Sequence, residues 1–289
     1  MSAFTERDLT SADGLRLYYR DYAGDAGKTP VLCLPGLTRN CRDFERLAPH
    51  LAARAGRRVL TPDFRGRGRS AYDPDWRNYR PEIYVRDVLA LMDAVAIRQA
   101  VIIGTSLGGI VGMYLASLHR SRIKGLALND IGPELEAVGM LRIASTAGTA
   151  RPATSWEEAA ADARSANAQA YPDFTDTDWM TFARQVYREE QPGRIVRDVD
   201  PNVGRAVREP GGAPTGAVPD FWSAFDTLKG LPLLCLRGEL SDLLSAKTVA
   251  QMSIRHGDLR AVVIPRRGHA PTLDEPESRH AIDDFVAAL

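Results

Sequence analysis

Short apolar runs alternate along the chain with segments whose apolar residues recur three and four positions apart. The runs are rich in β-branched and aliphatic residues and lie at 31–34, 59–60, 101–103, 126–128, 231–236 and 261–264. The helical spacing falls between them, most clearly in 44–55, 85–95 and 282–289. Uninterrupted apolar runs are typical of parallel strands that are buried on both faces. The alternation therefore predicts an α/β fold with a mostly parallel sheet and helices on both faces.

This alternation stops between residues 133 and 220. The stretch contains Ala-rich and Thr-rich helical patterns, several aromatic residues and a turn-rich tract at 210–214. A structureless loop of that length is improbable inside a compact domain. We therefore predict one core domain, formed by 1–132 and 221–289, with a mostly helical cap inserted at 133–220 over the strand ends. At the N-terminal edge, Asp13-Gly14 before segment 15–20 predicts an antiparallel hairpin.

Composition and charge narrow the class of protein. The 289 residues are 44% apolar, and 37 Lys and Arg balance 37 Asp and Glu, so the formal net charge at pH 7 is zero. Such a composition is typical of a soluble globular chain. Because no concentrated basic field exists, we expect neither nucleic acid nor a membrane as a partner. The arginine-rich segment 63–70 is interpreted as a structural loop that is held by arginine hydrogen bonds.

Cysteine usage and the N-terminus indicate the compartment. The three cysteines, Cys33, Cys41 and Cys235, are too few and too scattered for a disulfide framework or a zinc site. No His, Cys, Asp or Glu cluster has metal-ligand spacing, so we expect no metal and no cofactor. The polar N-terminus has no apolar signal segment. These features predict a cytoplasmic protein with reduced thiols. The sequence leaves the oligomeric state open between a monomer and a homodimer.

One uncharged stretch, 100–118, is long enough to span a bilayer. It divides into a β-branched piece at 101–103 and a helix-like piece at 110–118, with glycines and Ser106 between them. We interpret it as a buried strand followed by a helix, and not as a membrane span.

The strongest local motif lies inside this stretch. It is the G-x-S-x-G sequence Gly104-Thr105-Ser106-Leu107-Gly108, placed between a predicted strand and a predicted helix. A serine at such a turn has strained backbone angles, and its small neighbours make room for the turn and expose the hydroxyl. The following helix contributes N-terminal amides, so the Leu107 N–H is a candidate oxyanion donor. Ser106 is the candidate nucleophile.

A serine nucleophile needs a base that approaches from a loop at the C-terminal edge of the sheet. His269 fits, because it follows the predicted strand 261–264 by a short loop. The other four histidines lie within or near helical patterns and are expected to be surface or packing residues: His50, His119, His256 and His280.

The carboxylate that orients this base should also follow a strand. Asp242, in the loop after 231–236, is the preferred candidate. Two alternatives stay open: Glu239 on the same loop, and Asp130 just beyond the run 126–128.

Residues that contact the substrate are expected in the loop after the first buried strand and in the insertion. Gly36 permits close approach of the backbone, and the Leu37 amide is the candidate for the second oxyanion donor. Arg39 is a candidate contact for a substrate carboxylate. Trp179 and Trp222 are candidates for an apolar substrate pocket.

Together these motifs resemble the α/β-hydrolase fold superfamily, in its branch of small esterases with a helical cap. The matching segments are 34–37, 63–70, 104–109, 238–242 and 268–276. The chain order Ser106, Asp242, His269 is similar to the order in that family. The resemblance implies that Ser106 is the nucleophile, His269 the base and then the acid, Asp242 its orienting carboxylate, and Leu37 and Leu107 the oxyanion donors.

The candidate site and the resemblance predict a serine hydrolase that needs no cofactor and cleaves a carboxylic ester or lactone of a small, apolar substrate. Serine rather than aspartate at the nucleophile position disfavours haloalkane dehalogenase and epoxide hydrolase chemistry. Two alternatives remain: hydrolysis of a carbon–carbon bond in a diketone-type substrate by the same residues, and a ligand-binding protein of low turnover on the same fold.

Overall fold

An eight-stranded sheet lies at the centre of the molecule, of which the computed structural model describes residues 4–148, 151–209 and 221–289. The ten strands are β1 (Thr5–Thr10), β2 (Arg16–Tyr22), β3 (Val31–Leu34), β4 (Val59–Pro62), β5 (Ala100–Thr105), β6 (Ile123–Asn129), β7 (Tyr187–Gln191), β8 (Arg194–Arg197), β9 (Leu233–Gly238) and β10 (Leu259–Ile264). The order across the main sheet is β1-β2-β4-β3-β5-β6-β9-β10, and β7 pairs with β8 separately.

The pairing confirms the predicted mostly parallel sheet. β4, β3, β5, β6, β9 and β10 are parallel to one another, whereas β1 and β2 form an antiparallel hairpin that extends the β4 edge. Because β3 lies between β4 and β5, the chain reverses its direction of travel across the sheet there. The C-terminal ends of β3 and β5 therefore border the crevice in which open α/β sheets bind ligands.

Ten helices accompany the strands in the described part of the chain. They are α1 (Leu47–Ala55), α2 (Pro81–Ala94), α3 (Leu107–Leu118), α4 (Ala137–Thr146), α5 (Trp156–Asn167), α6 (Asp176–Val186), α7 (Asn202–Arg208), α8 (Trp222–Asp226), α9 (Ala246–His256) and α10 (Pro276–Ala287).

Alternate residues of the central strands serve two separate cores, because successive side chains of a strand point to opposite faces. Leu32 and Ile102 pack with residues of α2, α3 and α9 on one face. Val31 and Val101 pack with residues of α1 and α10 on the other. All four side chains are fully buried. This double burial is the physical reason for the uninterrupted apolar runs in the sequence.

The uncharged stretch 100–118 is a strand and a helix, as predicted, and not a span. β5 ends at Thr105 and α3 begins at Leu107. A Cβ at Gly112 would press on Leu126 and Ile102, so the glycine lets α3 approach the sheet closely. Across the ranges that the structure describes, no helix combines the length and the apolar character that crossing a membrane requires.

The segment between β6 and α8 leaves the core and returns to it at nearly the same place. The Phe221 amide donates to the Pro133 carbonyl at 3.2 Å, which joins its two ends. The segment holds α4 to α7, as the helical prediction requires, and also the hairpin β7–β8, which the pattern did not indicate. The predicted turn tract 210–214 lies outside the described residues. The division into a core domain and a cap at 133–220 stays a prediction.

The arginine-rich segment is a buried structural loop. The Arg65 guanidinium donates to Asp13, Asp73 and Asp87 at 2.6–3.2 Å, and Arg67 donates to the Leu37 carbonyl at 2.8 Å. Both side chains are almost completely buried. Buried charges of this kind are tolerated when they are paired and hydrogen-bonded. The loop thereby holds the backbone of the neighbouring 36–39 segment.

Candidate active site

Ser106 lies in the sharp turn between β5 and α3. Its φ is 51° and its ψ is −116°, a conformation that is costly for a residue with a side chain. A Cβ at Gly104 would collide with the Gly108 carbonyl, and one at Gly108 would collide with the Leu34 carbonyl. The two glycines of the motif are therefore required for the turn. This turn sets the serine at the C-terminal edge of the sheet.

His269 reaches the serine from the loop after β10, as predicted. Its Nε2 lies 2.9 Å from Ser106 Oγ, which is hydrogen-bond distance for proton transfer. The imidazole side chain is only 8% exposed. The other ring nitrogen, Nδ1, lies 2.8 Å from the carboxylate of Asp130.

Asp130 therefore occupies the orienting position that the sequence analysis assigned to Asp242. It follows β6 directly, with φ of 53°, a left-handed conformation that aspartate tolerates better than most residues. Its buried carboxylate also accepts the Ser241 hydroxyl at 2.6 Å and the Gly238 amide at 2.8 Å. With three donors, the buried charge is well compensated.

The prediction of Asp242 as the partner of His269 is wrong. Its carboxylate is held instead by Arg142 of α4, with Nε at 2.6 Å and Nη2 at 2.7 Å. This hydrogen-bonded pair lowers the pKa of Asp242 and raises that of Arg142. The alternative Glu239 also faces elsewhere, since its carboxylate accepts the Arg266 amide at 2.8 Å.

The two predicted oxyanion donors follow neighbouring strands. Leu107 is the first residue of α3, and Leu37 lies in the loop after β3. A Cβ on Gly36 would lie 3.8 Å from Ser106 Cβ, so this loop passes directly beside the serine. In the described part of the chain, neither leucine amide donates to a protein acceptor. The two amides have the hydrogen-bonding capacity that an oxyanion site needs.

Ser106 and His269 open into a cavity of about 510 Å³ between the core and the inserted segment. That volume is in the range of small-molecule sites. The core contributes the 36–39 loop and the segment 265–277. The inserted segment contributes both aromatic and polar groups, namely Arg142, Thr146, Asn167, Tyr171, Phe174, Thr181, Phe182, Gln185 and Arg197. The wall is more polar than the apolar pocket that the sequence predicted.

The chain matches a known protein family. A family model described as the alpha/beta hydrolase fold matches residues 29–248. The chain belongs to this family. A curated relative, the 3-hydroxybutyrate-oligomer hydrolase of Cupriavidus necator, is 32% identical over 266 residues, covering 90% of this chain and 89% of the relative.

Solved structures agree with this α/β-hydrolase assignment. An alpha/beta hydrolase from Novosphingobium aromaticivorans is 45% identical with a TM-score of 0.91, and the match covers all of both chains. A putative hydrolase from Rickettsia typhi has a TM-score of 0.87 with full coverage of both chains at 23% identity, which supports the fold alone.

Arg39 is held rigidly in the wall of the hydrolase cavity. Its Nε lies 2.9 Å from both oxygens of Asp43, its Nη2 lies 2.7 Å from one of them, and its guanidinium stacks 4.3 Å from the Phe182 ring centre. Burial opposes the charge, but the Asp43 carboxylate raises the pKa of Arg39 above its ordinary value. No described acceptor bonds to Nη1, so this part of the guanidinium can donate to a ligand.

Trp179 and Trp222, which the sequence analysis proposed as pocket residues, are not among the described residues that line the cavity. Trp179 is buried behind the wall, with its ring centre 5.1 Å from Phe174 and 5.7 Å from Phe182. Trp222 packs against Phe225, and its Nε1 donates to Glu134 at 3.1 Å. Both are packing residues. Phe174 and Phe182 lie between Trp179 and the cavity. Phe225 and Glu134, which contact Trp222, do not line it.

No sequence motif marks two residues of the site, Arg142 and Tyr171. Arg142 lies on a helix with no motif, and Tyr171 was one aromatic residue among several. Tyr171 donates its hydroxyl to the Ala270 carbonyl at 2.7 Å, beside His269. Burial raises the pKa of Tyr171 to about 12, so the phenol is neutral at physiological pH. Across the described residues, no cluster of His, Cys, Asp and Glu has the geometry of a metal site.

Proposed function

We propose that this α/β hydrolase cleaves carboxylic ester bonds through an acyl-enzyme on Ser106. The observation that carries the proposal is the hydrogen-bonded chain from Ser106 Oγ to His269 Nε2 at 2.9 Å and from His269 Nδ1 to Asp130 at 2.8 Å, at the base of a cavity. A nucleophile, a base and an oriented carboxylate in this order are the parts that acyl transfer requires.

In the first half of the reaction, Ser106 Oγ attacks the ester carbonyl carbon while its proton passes to His269 Nε2. The negative charge that develops on the carbonyl oxygen is stabilised by the Leu37 and Leu107 amides. Asp130 holds the imidazole with Nδ1 protonated and stabilises the imidazolium. The carbon–oxygen bond to the alcohol then breaks, and the proton on Nε2 passes to the departing alkoxide.

In the second half, water attacks the acyl-enzyme and gives its proton to His269 Nε2. The resulting tetrahedral intermediate collapses, the bond to Ser106 Oγ breaks, and the proton returns to the serine. The products are a carboxylic acid and an alcohol, so one water molecule is consumed for each ester bond.

The substrate that we propose is a short ester with polar groups along its length, such as an oligomer of a hydroxyacid. Support comes from the polar groups of the cavity wall, including Arg39 and Asn167. A long fatty acyl chain would leave the remaining hydrogen-bonding capacity of this wall, such as that of Arg39 Nη1, without a ligand partner, which is unfavourable where the chain displaces water. The relative from Cupriavidus necator, named a 3-hydroxybutyrate-oligomer hydrolase, points to the same substrate class. Lactones of hydroxyacids have the same reacting carbonyl.

The test is turnover of a linear 3-hydroxybutyrate dimer and of p-nitrophenyl butyrate by the wild-type protein and by Ser106→Ala. We expect Ser106→Ala to lose at least about 10³-fold in kcat, because no other group can form the acyl-enzyme. Ser117→Ala, on the same helix with its hydroxyl bonded to the Tyr114 carbonyl at 3.0 Å, is the matched control and should keep full activity. Undiminished turnover by Ser106→Ala would refute the proposal.

The same assay separates the two alternatives. A vinylogous diketone that is cleaved faster than either ester would favour carbon–carbon bond hydrolysis. Stoichiometric labelling of Ser106 by a fluorophosphonate without turnover of any substrate would favour a ligand-binding protein of low turnover.

A further inference from the structure

Two carboxylates lie at the same edge of the sheet as His269. Asp130 follows β6, and Asp242 follows the neighbouring strand β9. The adjacent residues Ser241 and Asp242 face different partners: Ser241 Oγ donates to Asp130, whereas Asp242 accepts from Arg142. The loop after β9 therefore donates a hydrogen bond to the Asp130 carboxylate through Ser241 and also carries the Asp242 carboxylate.

Asp242 directly follows Ser241, whose hydroxyl bonds the same Asp130 carboxylate that His269 contacts, so the charge of Asp242 acts on the histidine at short range. An unneutralised Asp242 would in turn favour the imidazolium form of the histidine. That form cannot accept the proton of Ser106, because a general base must have an unprotonated nitrogen or oxygen to receive it. A second free carboxylate here would thus narrow the pH range in which the site is active.

We propose that Arg142 is a positioning residue that sequesters Asp242 from His269, so that Asp130 is the one effective anionic partner of the histidine. The Arg142 guanidinium binds Asp242 through two nitrogens, the geometry that holds a carboxylate most firmly. Both side chains are 30% exposed, and Arg142 lines the cavity. The inference rests on the proposed function only in that His269 is taken as the base.

Arg142 belongs to α4 of the inserted segment, whereas Asp242 belongs to the core. The ion pair therefore links the position of the inserted segment to the net charge near His269. Several other charged or titratable groups lie around His269 in the described part of the chain. They include Asp130 from β6, which bonds His269 itself, Tyr171 with its raised pKa from the inserted segment, the Arg39–Asp43 pair after β3, and the pairs Arg267–Glu275, Arg266–Asp173 and Arg279–Asp274 that involve the loop of His269 and the helix after it.

The first experiment is the pH profile of kcat/KM for wild type, Arg142→Gln and Asp242→Asn. Arg142→Gln leaves Asp242 charged and unpaired, so the imidazolium persists to higher pH and the acid limb should move up by about 0.5–1 pH unit. Asp242→Asn removes the anion and leaves Arg142 charged, so the acid limb should move down by a similar amount. A general loosening of the fold would not move the acid limb in opposite directions in these two variants.

Two controls separate charge from packing. Arg142→Lys keeps the positive charge beside Asp242 and should give an acid limb close to that of the wild type. Arg42→Gln breaks a different ion pair between the core and the inserted segment, Arg42 to Asp198 at 2.7 Å, and should not shift the acid limb. Any one of three results would overturn the inference. The acid limb of Arg142→Gln does not shift, the acid limb of Arg142→Lys shifts as far as that of Arg142→Gln, or the acid limb of Arg42→Gln shifts by an equal amount.

The second experiment needs no turnover. In protein labelled with ¹³C at histidine, the His269 ring signal is assigned by its loss in His269→Gln, and its titration midpoint is followed by NMR. The midpoint should rise in Arg142→Gln and fall in Asp242→Asn by the same 0.5–1 unit. If turnover is absent but these midpoints move, the proposed function fails and the role of Arg142 stands. If turnover is normal and the midpoints do not move, the proposed function stands and the role of Arg142 fails.

Discussion

Asp130 and Asp242 follow neighbouring parallel strands, yet only one of them contacts His269. Asp130 comes directly after β6, is completely buried and is bonded to Gly238, Ser241 and His269. Asp242 lies farther along its loop, remains partly exposed and is bonded to Arg142. A strand end thus brings a side chain to the correct edge of a sheet. Which carboxylate serves the histidine is decided by the turn and by competing partners.

The energetic difference between the two positions follows from their burial. A buried carboxylate is costly unless donors compensate it, and Asp130 has three. A partly exposed carboxylate such as Asp242 keeps part of its hydration, so its ion pair with Arg142 contributes less. We therefore expect substitutions at Asp130 to have much larger consequences than those at Asp242.

The largest expected effect is that of Asp130→Asn. Asparagine tolerates the left-handed backbone of this position, but it cannot hold His269 in the tautomer with Nδ1 protonated. We expect kcat for an ester substrate to fall by about 10³- to 10⁴-fold, whereas Asp242→Asn should cost less than about tenfold near neutral pH. Circular dichroism establishes that both variants are folded. A larger loss in Asp242→Asn than in Asp130→Asn would reverse our assignment of the two carboxylates.

An intermediate effect is expected for Ser241→Ala, which removes one of the three donors to Asp130. A hydrogen bond to a charged group is worth about 1.5–3 kcal/mol, and the two remaining donors reduce the consequence to about tenfold in kcat. The matched control is Ser245→Ala, which removes the N-cap of α9, where Ser245 Oγ accepts the Thr248 amide. This control should cost about 1 kcal/mol in unfolding free energy with kcat unchanged. Equal kcat values for the two variants would argue against a role for Ser241 at the site.

The smallest effect concerns stability and pH. Because Arg142 lowers the pKa of Asp242 in the folded protein, the pair stabilises the fold above the ordinary aspartate value of 3.8, and this contribution is lost as the pH falls below it. Urea unfolding should therefore show Asp242→Asn to be less stable than the wild type by at most about 1 kcal/mol at pH 6, with the difference shrinking as the pH falls below the ordinary aspartate value of 3.8. Asp258→Asn, an exposed position, serves as the control. A difference that grows on acidification would contradict the stated sign.

Much of the fold was predictable because its signals are local. Burial on both faces makes the central strands apolar throughout, and helical periodicity marks the elements between them. Ser106 was predictable for the same reason, since the glycines that its turn requires are its neighbours in sequence. His269 could be selected because it follows a strand closely. The β7–β8 hairpin was missed, because its residues are mostly polar and only two of the nine are buried, too few to give an apolar pattern.

The remaining site residues could not be assigned from the sequence, because their roles depend on partners that are distant along the chain. Asp242 and Arg142 are 100 residues apart, and Asp130 and His269 are 139 residues apart. Trp179 and Phe182 lie on one short helix, yet only Phe182 faces the cavity. Spacing along a helix defines a face, but not what that face contacts.

The sequence by itself determined the α/β class, the turn of Ser106 and the strand-end position of His269, since each is encoded by residues within a few positions of one another. Tertiary structure alone decided that Asp130 orients the histidine, that Arg142 occupies Asp242, and that aromatic and polar groups share the cavity wall. The physical reason is competition. Each carboxylate binds the donors that the folded chain brings nearest, and that proximity is a property of the whole sheet and its inserted segment.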